Sequence, residues 1–99
     1  MKFEISISEA AKFELREAFL WYEDQLMNLG DKFQEEIFSG FESIKSNPNK
    51  FQTRYENVRV YFLRKFPFGI HYTQSENLII IIGIFHTSQN PEKWRKPGL

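Results

Sequence analysis

Polar and apolar residues alternate at the start of the chain. Phe3, Ile5 and Ile7 fall on one side, and Lys2, Glu4 and Ser6 on the other, the period-two pattern of a half-buried strand. The period then changes. Ala11, Leu15, Ala18, Tyr22 and Leu26 recur at steps of three and four, widened by Phe19, while Lys12, Arg16, Glu23 and Asp24 take the wet side. This spacing predicts an amphipathic helix. Ser8 stands before it as an N-cap, with Glu9 well placed in the first turn. Asn28-Leu29-Gly30 reads as its C-cap, Gly30 supplying a positive φ. Phe33, Ile37, Phe41 and Ile44 mark a second helix from about Asp31, ended by Asn47-Pro48-Asn49. Gly40 lies inside it, where glycine costs about 1 kcal/mol relative to alanine; a close helix–helix contact would account for it. Residues 8–46 thus read as a helical hairpin.

After Pro48 the pattern is that of strands. Val58 to Leu63 is rich in β-branched and aromatic residues. Lys65-Phe66-Pro67-Phe68-Gly69 is a turn, Ile70 to Gln74 a strand, Ser75-Glu76-Asn77 a tight turn, and Leu78 to Phe85 a last strand. That strand has no polar position, so both its faces must be covered or it must lie centrally. Gly83 within it suggests the close approach of a helix. The tail from Asn90 to Leu99 holds two prolines and at most a helical turn around Glu92 to Trp94. The order β-α-α-β-β-β predicts an α+β fold, a helical hairpin packed on a mainly antiparallel sheet, with residues 1–99 as one domain.

Composition narrows the chemistry. Eleven Phe imply a Phe-rich core, and the absence of Cys removes disulfides, thiolate catalysis and cysteine-based zinc sites. The longest apolar run has eight residues, against about 20 for a membrane span, and no secretory signal pattern opens the chain; a cytoplasmic location is expected. Charge is balanced but divided. Residues 1–50 hold six Lys/Arg against ten Asp/Glu, a net of −4, and residues 51–99 hold seven against three, a net of +4. The whole molecule is therefore not a nonspecific nucleic-acid binder. An acidic helical layer beside a mildly basic sheet is the plain reading, with pairs such as Glu35-Glu36 forming a solvated face.

If residues 75–77 turn a hairpin, position 71 faces about 81 and position 86 about 66. His71 and His86 then lie five rungs apart, roughly 17 Å, too far to share an ion within one chain, so no metal is expected; no cofactor is expected either. The sequence has no nucleophile elbow and no glycine-rich phosphate loop. The same register gathers Arg64, Lys65 and His86 at one end of the sheet. The tail adds Lys93, Arg95 and Lys96 around Trp94, a basic rim with aromatics suited to an acidic or nucleic-acid partner, or one that keeps an apolar strand in solution. Arg59, at the other end of its strand, either points into a groove or pairs with Glu56 or Glu76.

The chain resembles the small toxins of bacterial type II toxin–antitoxin modules, the RelE/ParE superfamily, from about Ile5 to Trp94. The resemblance rests on Ala10-Ala11, Trp21-Tyr22, Gly30 with Phe33, Asn47-Pro48, Val58-Arg59, Phe66-Pro67-Phe68-Gly69-Ile70-His71-Tyr72, and His86 to Pro91 with Trp94. RelE-like members cleave mRNA on the ribosome, and ParE-like members are described as inhibiting DNA gyrase. RelE-like chains carry an arginine where Gly69 stands here, then a basic run and a Tyr where this chain has His86-Thr87-Ser88-Gln89 and later Trp94. The Phe-Pro-Phe segment and the His-to-Pro ending are more similar to ParE. ParE-like chains usually carry Arg at the position of Gln89, a departure that leaves room for a weakened toxin or another target.

The resemblance implies a toxin, of the kind associated with plasmid stabilization and growth inhibition. It would bind its target through Arg64, Lys65, His86, Gln89, Lys93, Trp94, Arg95 and Lys96. Its partners would be a cognate antitoxin and DNA gyrase, and its assembly a homodimer or a toxin–antitoxin hetero-oligomer. The alternatives are a ribosome-dependent mRNA endonuclease using Arg59, Arg64, His71 or His86, and an interaction module that has lost toxicity. His86 itself reads as ending the strand and shaping the rim.

Overall fold

The computed structural model describes residues 3–88. The elements are β1 (Glu4–Ile7), α1 (Glu9–Gln25), α2 (Leu29–Ser46), a short 3-10 turn (Pro48–Lys50), β2 (Thr53–Tyr55), β3 (Val58–Phe62), β4 (Phe68–Ser75) and β5 (Leu78–His86). The two helices pack on a five-stranded sheet of order β1-β5-β4-β3-β2. β1 runs parallel to β5 and every other pair is antiparallel. The expected α+β hairpin-on-sheet architecture is present, with one strand more than the sequence pattern suggested. β2 is only three residues long, too short to show a period.

The helices begin and end for identifiable reasons. Ser8 Oγ accepts the Ala11 N–H at 3.0 Å, the expected N-cap bond of α1. The interhelical turn differs from the expected one. α1 stops at Gln25, Leu26 is extended and 64% exposed, and the left-handed residue is Asn28, with φ of 71°. Asparagine tolerates that region because its side chain is short and polar. Gly30 lies instead in the first turn of α2, which starts at Leu29. A Cβ there would sit 2.7 Å from the Phe19 carbonyl oxygen, so the close helix–helix approach is at Gly30. Gly40 serves the sheet: a Cβ would meet Ile70 Cδ1 at 2.8 Å and Tyr61 Cε1 at 2.9 Å.

Ala11, Ala18, Phe33, Ile37, Phe41 and Ile44 of the helices close on Ile70, Tyr72, Ile79, Ile81 and Ile84 of the sheet. β5 lies between β1 and β4, which covers its apolar run laterally. The β4–β5 hairpin pairs Ser75 with Leu78, a two-residue loop, and an irregularity between His71 and Tyr72 inserts Ile82 as an extra residue of β5. Together they shift the register by two: His71 faces Gly83, and His86 faces Phe68. The histidines are therefore three rungs apart, about 10 Å rather than 17. They also lie on opposite faces, since His71 sits between the inward residues Ile70 and Tyr72 while Phe68, opposite His86, packs on the helices. Gly83 receives no helix; the ring of Phe85 folds back over it, where a Cβ would stand 2.4 Å from ring carbons.

Candidate functional site

The end of the sheet that carries the β3–β4 turn is organised by aromatic rings. Phe66 leaves the turn and inserts between the helices, its ring centroid 4.9 Å from Tyr22 and 5.3 Å from Phe33. Phe68 adds contacts to Phe33 at 5.1 Å and to Tyr22 at 6.1 Å. Backbone bonds fix the turn: Phe68 N–H donates to Phe66 O at 2.8 Å, Leu63 N–H to Phe68 O at 2.9 Å, and Thr87 N–H to Pro67 O at 2.8 Å. The last bond ties the exit of β5 to the turn, so Arg64, Lys65 and His86 are gathered at one end as the sequence indicated.

His86 closes the strand. Its ring stands edge-on to Phe68 at 5.2 Å. Nδ1 accepts the Ser88 N–H at 3.0 Å and lies 2.7 Å from Ser88 Oγ. A backbone N–H can only donate, so Nδ1 is the acceptor and the neutral ring carries its proton on Nε2. This imidazole nitrogen is engaged in shaping the turn after the strand. Beside it Ala18, Trp21, Tyr22, Pro67, Phe68 and His86 line an apolar recess of about 460 Å³, with Trp21 59% exposed at its lip.

On the other side of the turn, Arg64 and Lys65 are exposed, and their backbone N–H groups both point at the Glu36 carboxylate of α2, Lys65 at 3.2 Å from Oε2. Glu36 thus leaves the solvated face to which the charge pattern assigned it. Glu23, placed on the wet side of α1 by the same pattern, does likewise, and Glu14 also bonds backbone. Glu14 Oε1 accepts the Ile84 N–H at 2.9 Å, and Glu23 accepts the N–H groups of Asn28 at 2.9 Å and Gly30 at 3.0 Å, capping α2 in place of an Asn28 side-chain bond. Burial raises the Glu14 carboxyl above its usual range, against the opposing pull of the Ile84 N–H.

The remaining candidates are dispersed. Among the described residues Arg59 bonds carbonyls and no acid: Nη1 donates to Phe51 O at 2.6 Å and more weakly to Asn49 O. It pairs with Tyr72, four residues along β4 from the position opposite His86. His71 is on the other face of the sheet, 1% exposed, its Nδ1 3.0 Å from Tyr55 Oη and its ring 4.8 Å from Phe85. Burial depresses His71 to about 4 and, with Glu56 nearby, pushes Tyr55 up to about 12, so both are neutral at pH 7. Arg59, His71 and His86 therefore do not converge on one reacting atom. Gln89, Lys93, Trp94, Arg95 and Lys96 lie outside the described residues. Among those described, no group of three or more His, Cys, Asp or Glu could hold a metal ion, and no helix is long and apolar enough to cross a membrane.

Sequence reasoning missed Trp21 as a surface group and Glu36 as a ligand of the turn. Trp21 was legible as an aromatic off the apolar stripe. Glu36 was not, because its bond spans 28 and 29 residues.

A family model described as the ParE toxin of the type II toxin–antitoxin system, parDE, matches residues 5–91. Among solved structures, the chromosomal ParDE toxin–antitoxin system from P. aeruginosa superposes with a TM-score of 0.74 at 16% identity, covering 87% of this chain and 97% of that one. At that identity the likeness is one of fold. Among curated proteins, no sequence matches.

Proposed function

The chain belongs to the ParE toxin family of type II toxin–antitoxin systems, and from that premise we propose that it arrests growth by binding a replication enzyme, DNA gyrase in the first instance, and that a cognate antitoxin neutralises it. The observation that carries this reading is the make-up of the turn end. Exposed Trp21 stands at the lip of an apolar recess, and exposed Arg64 and Lys65 stand beside the aromatic plug; Trp and Arg are residue types enriched in binding hot spots. An acid/base site would need titratable groups within hydrogen-bond reach of one substrate position. Here His71 is buried on the opposite face, and Arg59 pairs four residues along β4 from the position opposite His86. The family's own pairing with an antitoxin supports the second partner.

Purified protein tests the target directly. Loss of gyrase supercoiling at stoichiometric protein, restored by the antitoxin, is the expected outcome. Unimpaired supercoiling together with transcripts cut in a translation extract would replace this reading with ribosome-dependent cleavage. Unimpaired supercoiling with intact transcripts and normal host growth would leave a binding module without toxicity.

A further inference from the structure

The Glu36 carboxylate occupies a site with the properties of an anion receptor. Two consecutive backbone N–H groups, those of Arg64 and Lys65, converge on it, the arrangement by which turns bind anions. Its setting is an open groove of about 850 Å³ between α2 and the β3–β4 turn, lined in part by Lys32, Ser39, Tyr61, Arg64, Lys65 and Phe66. The groove holds three cationic side chains, yet the ion pairs among the described residues are Lys12–Glu9 and Lys45–Glu42, both elsewhere on the helices. Glu36 accepts from the two N–H groups without pairing with the Lys32, Arg64 or Lys65 side chains.

We propose that this groove is the docking site of an acidic peptide segment of a partner protein, one carboxylate of which displaces Glu36 from the Arg64 and Lys65 N–H groups. The resident occupant is itself a carboxylate, which shows the kind of acceptor to which the pair of N–H groups donates. Glu36 is held at the end of a flexible side chain that is partly open to water, so the exchange replaces one charged acceptor by another and frees the rotamers of Glu36. The three cations then meet the remaining acids of the segment, and Tyr61 and Phe66 cover its aliphatic stems. The carboxylate already seated on the two N–H groups favours an acidic peptide over a nucleic acid; Glu35, which also lines the groove, opposes either anion. The proposal deepens the toxin reading by giving the chemistry of a partner. It can fail while toxicity stands, because its test reads binding alone.

The test uses the whole, isotope-labelled protein and three probes: a hexaglutamate peptide, a hexaglutamine peptide and a short single-stranded oligonucleotide. Hexaglutamate is expected to move the Arg64 and Lys65 amide resonances, with hexaglutamine inert. Glu36→Ala removes the internal competitor and is expected to tighten hexaglutamate about tenfold, the factor equivalent to one charge-assisted bond. Glu36→Gln, which keeps the side-chain length and a neutral acceptor, should give a smaller gain and guards against disturbance of the turn in the alanine variant. Paired Arg64→Ala and Lys65→Ala should weaken the peptide. Unmoved amides, equal responses to hexaglutamine, or a stronger response to the oligonucleotide would overturn the proposal.

Discussion

Glu14 of α1 and Ile84 of β5, seventy residues apart in sequence, are joined by a carboxylate-to-backbone hydrogen bond of 2.9 Å. β1 pairs with β5 only as far as Ile81, so the β1 side of β5 has no partner strand at Ile84, and α1 supplies the acceptor. Removing it leaves a part-buried N–H without a partner. Glu14→Ala is expected to lower stability by about 1–3 kcal/mol, and Glu14→Gln, which retains a carbonyl oxygen, to recover most of that loss. Urea denaturation of the three proteins measures both changes. Equal losses in the two variants would mean that the bond contributes little.

The segment after α2 is fastened from the sheet. Tyr72 Oη donates to the Pro48 carbonyl at 2.6 Å, and Arg59 donates to the Phe51 carbonyl. Both residues come from one rung of the sheet. Tyr72→Phe and Arg59→Ala are each expected to cost about 1–2 kcal/mol, and their combination less than the sum, because a segment loosened by the loss of one tether gains less from the other. A double-mutant cycle in denaturant settles it. Arg59 acting mainly in function would instead show as lost toxicity with unchanged stability.

Gly30→Ala places a methyl group against backbone, not against a side chain that can rotate away. The Phe19 carbonyl lies 2.7 Å from the new atom and Glu23 Oε1 2.9 Å. The helices must separate or the Glu23 cap must break. A loss of about 1–3 kcal/mol is expected, although alanine is the better helix former. A midpoint in urea equal to or above that of the native protein would show that the hairpin adjusts freely.

The fold was largely legible because its signals are local. The β1 alternation, the Ser8 cap, the two helical stripes and the break at Asn47-Pro48 each occupy a few residues and survive in the structure. What was not legible depends on distant partners. The Ile82 bulge moves the β4–β5 register, and no propensity marks it. Gly30 and Gly40 were recognised as unusual, but which neighbour each admits is decided by tertiary packing. The gathering of Arg64, Lys65 and His86 followed from the hairpin pairing even with a register error of two, since all three sit near strand ends; the tail residues assigned to the same rim lie outside the described residues. The roles of Glu14, Glu23 and Glu36 were hidden by composition: an acidic helix looks solvated until the backbone N–H groups opposite it are known.

Acid should weaken the fold through His71. Its folded value of about 4 lies below the unfolded value near 6.5, so the unfolded chain takes up the proton first. The stabilisation is complete above about pH 6.5 and is lost as pH falls towards 4, up to about 3 kcal/mol. Glu14 has the opposite sign: its raised value means that its protonation favours the folded state as pH falls. Comparing native protein with His71→Gln from pH 7 to 4 isolates the histidine. The native protein is expected to lose stability relative to the variant across that range, and its imidazole resonance should not titrate above pH 5. Titration near 6.5 would show that Tyr55 and Phe85 do not seal the ring.

The rim should separate function from stability. Trp21 is mostly exposed, and Arg64 and Lys65 make their tertiary bonds through backbone N–H groups, which substitution leaves in place. Trp21→Ala and Arg64→Ala with Lys65→Ala are therefore expected to change stability by no more than about 0.5 kcal/mol, as surface substitutions do. If the turn end is the target surface, the same variants relieve growth arrest after induction, and gyrase inhibition falls at least tenfold, the loss of a hot-spot residue of about 1.4 kcal/mol or more. His86→Ala makes the informative contrast. As a strand-closing residue it is expected to reduce toxicity less than Trp21→Ala, whereas a general acid or base would abolish it. Arrest that survives the rim variants but disappears with His86→Ala would move the activity from binding to catalysis.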